Sequence, residues 1–456
     1  MSFLARARTD AGAIARLAGP LLVNNLAIAG MLFTDTVMAG RLGARELAAV
    51  AVGANYVGFY YLGGLGLLMA LSPTVAHAYG AGRNEVVGSF FRQALWLSVA
   101  VSIVVTIGLA LVYPALRTIG IPPDVAPLAA RYVYAVAFGM PALYAFLALR
   151  FSSEGLGWTR PILFTAVIAL GAKVLGNYLL IYGNFGAPRL GAVGAGVATA
   201  IVDWLIFGVM WVYVRRHRIY RPYAALRMFE RPDPKRLREI LALALPISGS
   251  VLAEGALFAS AALIMGTFGA IVMAAHAIAI NYATLMFMVP LALHSATTIH
   301  IGHKVGRGDP AAGRFAGWVG ILLCVAIMTV SALVLAFARG GIAGLYTEDV
   351  AVLQLATELL LFAAVFQIAD GLQVGAAGAL RGFKDARIPM TFNVFSYWVV
   401  GFPLAYWFGV VQGEGPKAVW LALIAGLFVC ALLLASRFEF ITRRAVAVRR
   451  QAPCTD

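Results

Sequence analysis

Residues 76–82 read AHAYGAG, and residues 302–308 read GHKVGRG. His77 falls on His303, Gly80 on Gly306 and Gly82 on Gly308, all at a shift of 226 residues. The same shift carries Pro20 onto Pro246, Gly40 onto Gly266, Gly43 onto Gly269, Asn55-Tyr56 onto Asn281-Tyr282 and Gly183 onto Gly409. Between these landmarks SEGLGWTRP (153–161) matches LRGFKDARIP (380–389) with a slip of one or two residues. A single match of this kind arises by chance. A series at one fixed shift is an internal repeat, and the Gly-x-Gly ends read as helix terminations shared by both copies.

What surrounds those landmarks sets the environment. Of 456 residues, 62% are hydrophobic and only 12% charged, half the charged share of a soluble domain. Mean hydropathy is +0.87. Apolar runs long enough to cross a core of about 30 Å recur along the chain, and they do not alternate as barrel strands would. We place twelve spans at approximately 13–38, 46–74, 90–113, 127–149, 161–183, 191–214, 240–266, 273–299, 316–338, 353–379, 390–411 and 418–437. No short apolar segment with a small-residue cleavage site precedes the first run, so no signal peptide is expected. Cys324, Cys430 and Cys454 have no paired spacing, which argues against a disulfide framework or a zinc site.

Net charge is +15. In a soluble protein that would suggest nucleic acid, but here the cations lie between apolar runs and set topology. The connection between spans six and seven carries Arg215, Arg216, Arg218, Arg221, Arg227, Arg231, Lys235, Arg236 and Arg238. Arg83, Arg150, Lys304, Arg307, Arg381 and Lys384 mark connections on the same side, and Arg443, Arg444, Arg449 and Arg450 mark the tail. Both termini are therefore expected in the cytoplasm, with no nucleic-acid partner. Six spans per repeat return the chain to its starting side, so the halves run in the same direction, related by a pseudo-two-fold axis along the membrane normal. The expected fold is an all-α integral membrane protein of two six-helix lobes. Residues 1–214 form the first lobe, 215–238 a basic cytoplasmic linker, 239–441 the second lobe and 442–456 a cytoplasmic tail.

Residues common to both repeats build the scaffold; the informative ones break the symmetry. Asp35 maps onto Ala261, Glu254 onto Ile28, and Asp370 onto Leu143 or Tyr144. A carboxylate at lipid depth costs about 2.5–3.5 kcal/mol on insertion scales, so each is a functional candidate. Lys173 and Asn177 stand four apart in GAKVLGNYLLIYG and share a helix face. Asp203, in ATAIVDWLIFG, maps onto Val429. A buried Lys173 needs an anionic partner, and Asp35 and Asp203 are the candidates. Tyr56, Tyr282 and Phe366 are candidates for stacking on flat cations.

FTDTVMAGRLG (33–43), SEGLGWTRP, GNYLLIYGNFGAPRLGAVGAGVATA (176–200), LAEGALF (252–258) and GALRGFKD (378–385) together resemble the multidrug and toxic-compound extrusion (MATE) transporters, in their NorM-type bacterial branch. The resemblance covers nearly the whole chain. It implies a V-shaped pair of six-helix lobes in the bacterial inner membrane, exporting cationic amphipathic compounds against an inward flow of H⁺ or Na⁺, with no cofactor. It matches Asp35 to the first-helix carboxylate of the family and Glu254 and Asp370 to the acidic pair of the second lobe, where a coupling Na⁺ would bind. Lys173 departs from the pattern, occupying a place where an amide is typical, and a fixed ammonium there competes with Na⁺. Phe366 stands where some relatives have Tyr, so a contact there is to the ring face.

The resulting expectation is a monomeric antiporter in which ion and drug compete for the same carboxylates. The alternative is a lipid-linked oligosaccharide flippase on the same two-lobe plan, which should prefer cations over acids at its centre. An enzyme would need His and acid clusters at a membrane face, a channel would place its charges in a ring, and a primary pump would carry a phosphate-binding Gly-x-x-x-x-Gly-Lys motif.

Overall fold

A computed structural model describes residues 3–451; Cys454 and the end of the expected tail lie outside the described residues. The helices are α1 Phe3–Gly40, α2 Ala44–Met69, α3 Leu71–Gly80, α4 Asn84–Ala110, α5 Val112–Thr118, α6 Ala126–Ala137, α7 Met140–Gly155, α8 Arg160–Tyr182, α9 Ala192–Arg216, α10 Pro234–Gly266, α11 Ala270–Gly306, α12 Pro310–Gly344, α13 Val350–Gly382, α14 Arg387–Val394, α15 Phe402–Tyr406 and α16 Pro416–Gln451. Phe395–Gly401 and Trp407–Val411 continue the chain as π-helical turns. Eleven stretches are long and apolar enough to cross a membrane, with α2 and α3 joined as one. The pair α6 and α7, bent by 46°, supplies a twelfth when counted as one span. Every expected span is present.

The repeat recurs in the backbone, atom for atom. After α3, the amides of Ala81, Gly82 and Arg83 donate to the carbonyls of His77, Tyr79 and Ala78. After α11, Arg307, Gly308 and Asp309 donate to His303, Val305 and Lys304, the same three bonds at the same shift. Gly82 (φ +70°) and Gly308 (φ +79°) take the left-handed conformation this turn requires.

The described fold divides into two compact units. One is Val23–Ser248; the other joins Met1–Leu22 to Gly249–Asp456. Both borders fall inside a helix rather than in the 215–238 connection, and they occupy equivalent repeat positions. Each lies two residues beyond a helix-internal proline, Pro20 in α1 and Pro246 in α10. Proline removes one rung of the hydrogen-bond ladder and crowds the turn that precedes it. In the unit containing Gly249–Asp456, Asp10 holds the start of α1: its Oδ1 accepts from Lys304 Nζ (2.5 Å) and His300 Nε2 (2.9 Å) of α11. In this unit α13 packs against α11, α12 and α16 and carries much of the core.

The 215–238 segment is not a free tether. Its first residues extend α9, Arg218–Tyr223 forms a 3-10 turn, and Pro234 starts α10. Between them Glu230 docks on α4. Its carboxylate accepts from Ser89 Oγ (2.5 Å), Arg92 Nε (2.6 Å) and Gln93 Nε2 (3.1 Å), and Trp96 Nε1 donates to its carbonyl (2.9 Å). Gly88 allows the approach: a Cβ there would lie 1.9 Å from the Tyr223 carbonyl oxygen. Burial pushes the Glu230 carboxyl up, but the bonds from Ser89, Arg92 and Gln93 and the Arg92 charge outweigh it and hold the group below its usual range. A group so depressed stabilises docking fully above the ordinary value of 4.5 and loses that contribution as pH falls through the depressed value. Glu230→Gln is expected to speed amide exchange over residues 224–233 about tenfold at neutral pH. Exchange indistinguishable from the parent would show that the carboxylate does not hold the segment.

Arg150 is likewise no loop cation. It lies in α7, where its Nε donates to Glu154 Oε1 at 2.8 Å, with exposures of 7% and 1%. The Asn24 amide, its oxygen turned to the guanidinium, accepts from both Nη atoms at 3.1 Å.

Candidate functional site

The unit Val23–Ser248 brings Asp35, Lys173 and Asn177 together and places Asp203 beside them. Asp35 sits on α1, Lys173 and Asn177 one turn apart on α8, and Asp203 on α9, which packs along α8. All four are buried. Lys173 Nζ lies 2.8 Å from Asp35 Oδ1, and the same oxygen accepts from Asn177 Nδ2 at 2.7 Å. The ammonium also donates to the Ala195 carbonyl (3.2 Å) and to Thr199 Oγ1. Thr199 donates its own proton to Ala195 O (2.8 Å), so its lone pairs face the lysine. Three donors meet three acceptors, and the ammonium is fully satisfied. Of the two candidate partners, Asp35 makes the ion pair. Asp203 lies within electrostatic reach of Lys173, and its Oδ2 has no hydrogen-bond partner among the described residues.

Thr199 was missed in the sequence. Its signal is spacing: Ala195, Thr199 and Asp203 recur every four residues on α9 and share a face. An alanine contributing only its carbonyl leaves no trace in side-chain pattern.

In the other unit, Glu254 of α10 and Asp370 of α13 lie within electrostatic reach of each other. Asp370 is buried and Glu254 half-buried. Arg381, on the last turn of α13, acts on Glu254. It too was expected as a loop cation, and it ends a spanning helix instead. Tyr397, on the π-helical turn Phe395–Gly401, is 1% exposed and accepts from Gln373 Nε2 at 2.9 Å. The same turn reaches α10 through Trp398 Nε1, which donates to the carbonyl of Ala253 (3.2 Å), next to Glu254. An extra residue per turn re-aims side chains, and such turns recur at functional sites. The sequence offered only the signal of Gln367, Asp370 and Gln373 at three-residue spacing on an otherwise apolar helix.

Phe366 belongs to an aromatic group beside these acids. Its ring meets Phe258 and Trp420 edge-on at 6.0 Å each, and Trp420 meets His276 at 5.7 Å. Trp420 Nε1, His276 Nδ1 and both amide atoms of Gln367 are buried without a hydrogen-bond partner among the described residues. Unpaired buried polar atoms are costly. With two carboxylates, an amide oxygen and a ring face, these residues suit a cation. Tyr56 is half-buried and donates to the Gly108 carbonyl (3.0 Å), and Tyr282 packs on the apolar core. Asn281 is exposed and accepts from Tyr346 OH (3.0 Å).

Long apolar helices in two repeats, each repeat burying its own asymmetric set of ionisable groups, define a two-repeat membrane transporter. The MatE family model matches residues 20–179 and 246–407, one match per repeat and both starting at the helix-internal prolines. The chain belongs to the MATE transporter family. It is 42% identical to the "Probable multidrug resistance protein NorM" of Xanthomonas axonopodis pv. citri, over 94% of each chain. It is 37% identical to the "Multidrug resistance protein NorM" of Vibrio cholerae, over 96% of this chain and 97% of that one. A solved structure, "Crystal structure of MATE in the bent conformation", matches with a TM-score of 0.88 at 20% identity, over 98% of this chain and 99% of that chain. That likeness concerns the fold.

Proposed function

We propose that this protein is a secondary active multidrug efflux antiporter of the bacterial inner membrane. It exports cationic amphipathic compounds in exchange for H⁺ or Na⁺ by alternating access, with both termini cytoplasmic. The curated relatives named for multidrug resistance support the substrate class. The observation that carries the mechanism is the paired burial of acids in spanning helices: Asp35 held by Lys173 and Asn177, and Asp370 with Glu254 beside an aromatic group.

An ionised carboxylate at lipid depth is relieved by a proton, by Na⁺ or by a cationic drug, and these relieve the same charge. Binding of the ion then weakens the drug by the factor with which the drug weakens the ion. Asp35 is the coupling group of one unit. There Lys173 already supplies the small cation, so coupling goes by proton: protonated Asp35 releases the ammonium toward Asp203. Glu254 and Asp370 bind the coupling ion in the other unit, where Na⁺ would meet their oxygens and the ring face of Phe366.

The test is uptake of a cationic dye by purified protein in liposomes, with the Na⁺ and pH gradients imposed separately. Because exchange sends the ion out as the dye enters, acceleration by at least one outward-directed gradient is expected. Dye movement indifferent to both would remove antiport from consideration and leave facilitated transfer. Transport of a lipid-linked anion in place of the dye would turn the reading to the flippase alternative.

A further inference from the structure

The unit Val23–Ser248 holds a second charged feature, unconnected with the acids. Where α9 ends, Trp211, Val212, Arg215 and Arg216, with Arg221 and Arg227 of the segment that follows, line an open cavity of about 760 Å³. All four guanidinium groups are exposed, and none makes an ion pair among the described residues. The carboxylates of the same segment are occupied elsewhere, Glu230 by Arg92 and Asp233 by Arg236 at 3.6 Å. The carbonyl end of α9 tempers this charge but leaves a net positive cavity. Charge bias alone places arginines near a membrane face. It does not require four of them to line one cavity, nor the Glu230 dock that fixes the segment between Arg221 and α10.

The apolar part of the lining points to the ligand. Trp211 and Val212 belong to the spanning part of α9, Val212 being 47% exposed, and Met228 and Phe229, next in the chain to Arg227 though outside the lining, are 65% and 81% exposed. A soluble phosphate would gain nothing from that apolar side. A molecule with an anionic phosphate at one end and acyl chains at the other would use both. We infer that this cavity is a binding site for the phosphodiester headgroup of an acidic phospholipid, seated against the 215–238 segment. Placement in the inner leaflet rests on the orientation read from the basic connections; the site itself does not depend on the transport reading.

The experiment is native mass spectrometry of the full chain in detergent, titrated with phosphatidylglycerol, phosphatidylcholine and inorganic phosphate. One phosphatidylglycerol is expected to bind at least tenfold more tightly than phosphatidylcholine, and millimolar inorganic phosphate should not displace it. Arg221→Gln with Arg227→Gln should weaken that lipid about twenty-five-fold, near fivefold per arginine. Arg231→Gln with Arg238→Gln removes the same charge from exposed positions of the segment outside the cavity. It should weaken binding twofold or less. Equal losses in the two pairs would reduce the cavity to diffuse surface charge, and equal affinity for the two lipids would overturn the site without recourse to any variant. Displacement by free phosphate would reassign it to a soluble ligand.

Discussion

Lys173→Met is expected to lower the stability of the purified protein by about 3–5 kcal/mol, because it strands Asp35 as a buried charge without a counterion. The ammonium is 2% exposed and Asp35 7%, so water does not reach in to replace what is lost. Methionine fills the space of the lysine stem but offers nothing to Asp35 Oδ1, Ala195 O or Thr199 Oγ1. Only the Asn177 amide, at 2.7 Å, still faces the carboxylate. Adding Asp35→Asn should recover most of the loss, since replacing both members of a buried pair is commonly near neutral. Denaturation midpoints of the four proteins form a double-mutant cycle. Additive losses would mean that the 2.8 Å contact does not act as a pair. Losses that cancel would establish that Lys173 belongs to Asp35 and would leave transport by the double variant as the measure of the proton route.

Glu254→Gln is expected to reduce dye efflux at least tenfold, equivalent to about 1.4 kcal/mol or more of lost coupling. Glutamine keeps the size and hydrogen-bonding reach of the glutamate and removes its charge, so the fold should survive; an unchanged melting temperature checks this. What disappears is the interaction with Asp370, on which the proposed coupling in this unit rests. Asp35→Asn is expected to act in the same direction through the other unit. Cells expressing both changes should accumulate a cationic dye as cells without the protein do. Undiminished efflux by the double variant would remove the carboxylates from the mechanism.

Much of the architecture was legible in the sequence because it is written in local terms. Twelve long apolar runs need no partner to be recognised, and a repeat at a constant shift shows itself in glycines that adopt the same turn, Gly82 and Gly308. Lys173 and Asn177 were readable as one face because four residues make about one helical turn. Arg150 and Arg381 were misread for the same reason. A cation at the edge of an apolar run looks like a loop residue, and only packing shows that Arg150 turns inward to Glu154 and Asn24.

By itself, then, the sequence determined the membrane class, the number of spans, the duplication and the identity of the acids that break it. Those properties follow from hydropathy and spacing, which are sums over neighbours in the chain. The tertiary structure alone decided that Lys173 pairs with Asp35 rather than Asp203, that Glu230 pins the basic segment to α4, that a π-helical turn brings Tyr397 toward the acids, and that the borders of the compact units follow Leu22 and Ser248, each two residues beyond a helix-internal proline. Each of these is a choice among partners far apart in the chain, settled by which helices pack together and which buried charge would otherwise go unsatisfied.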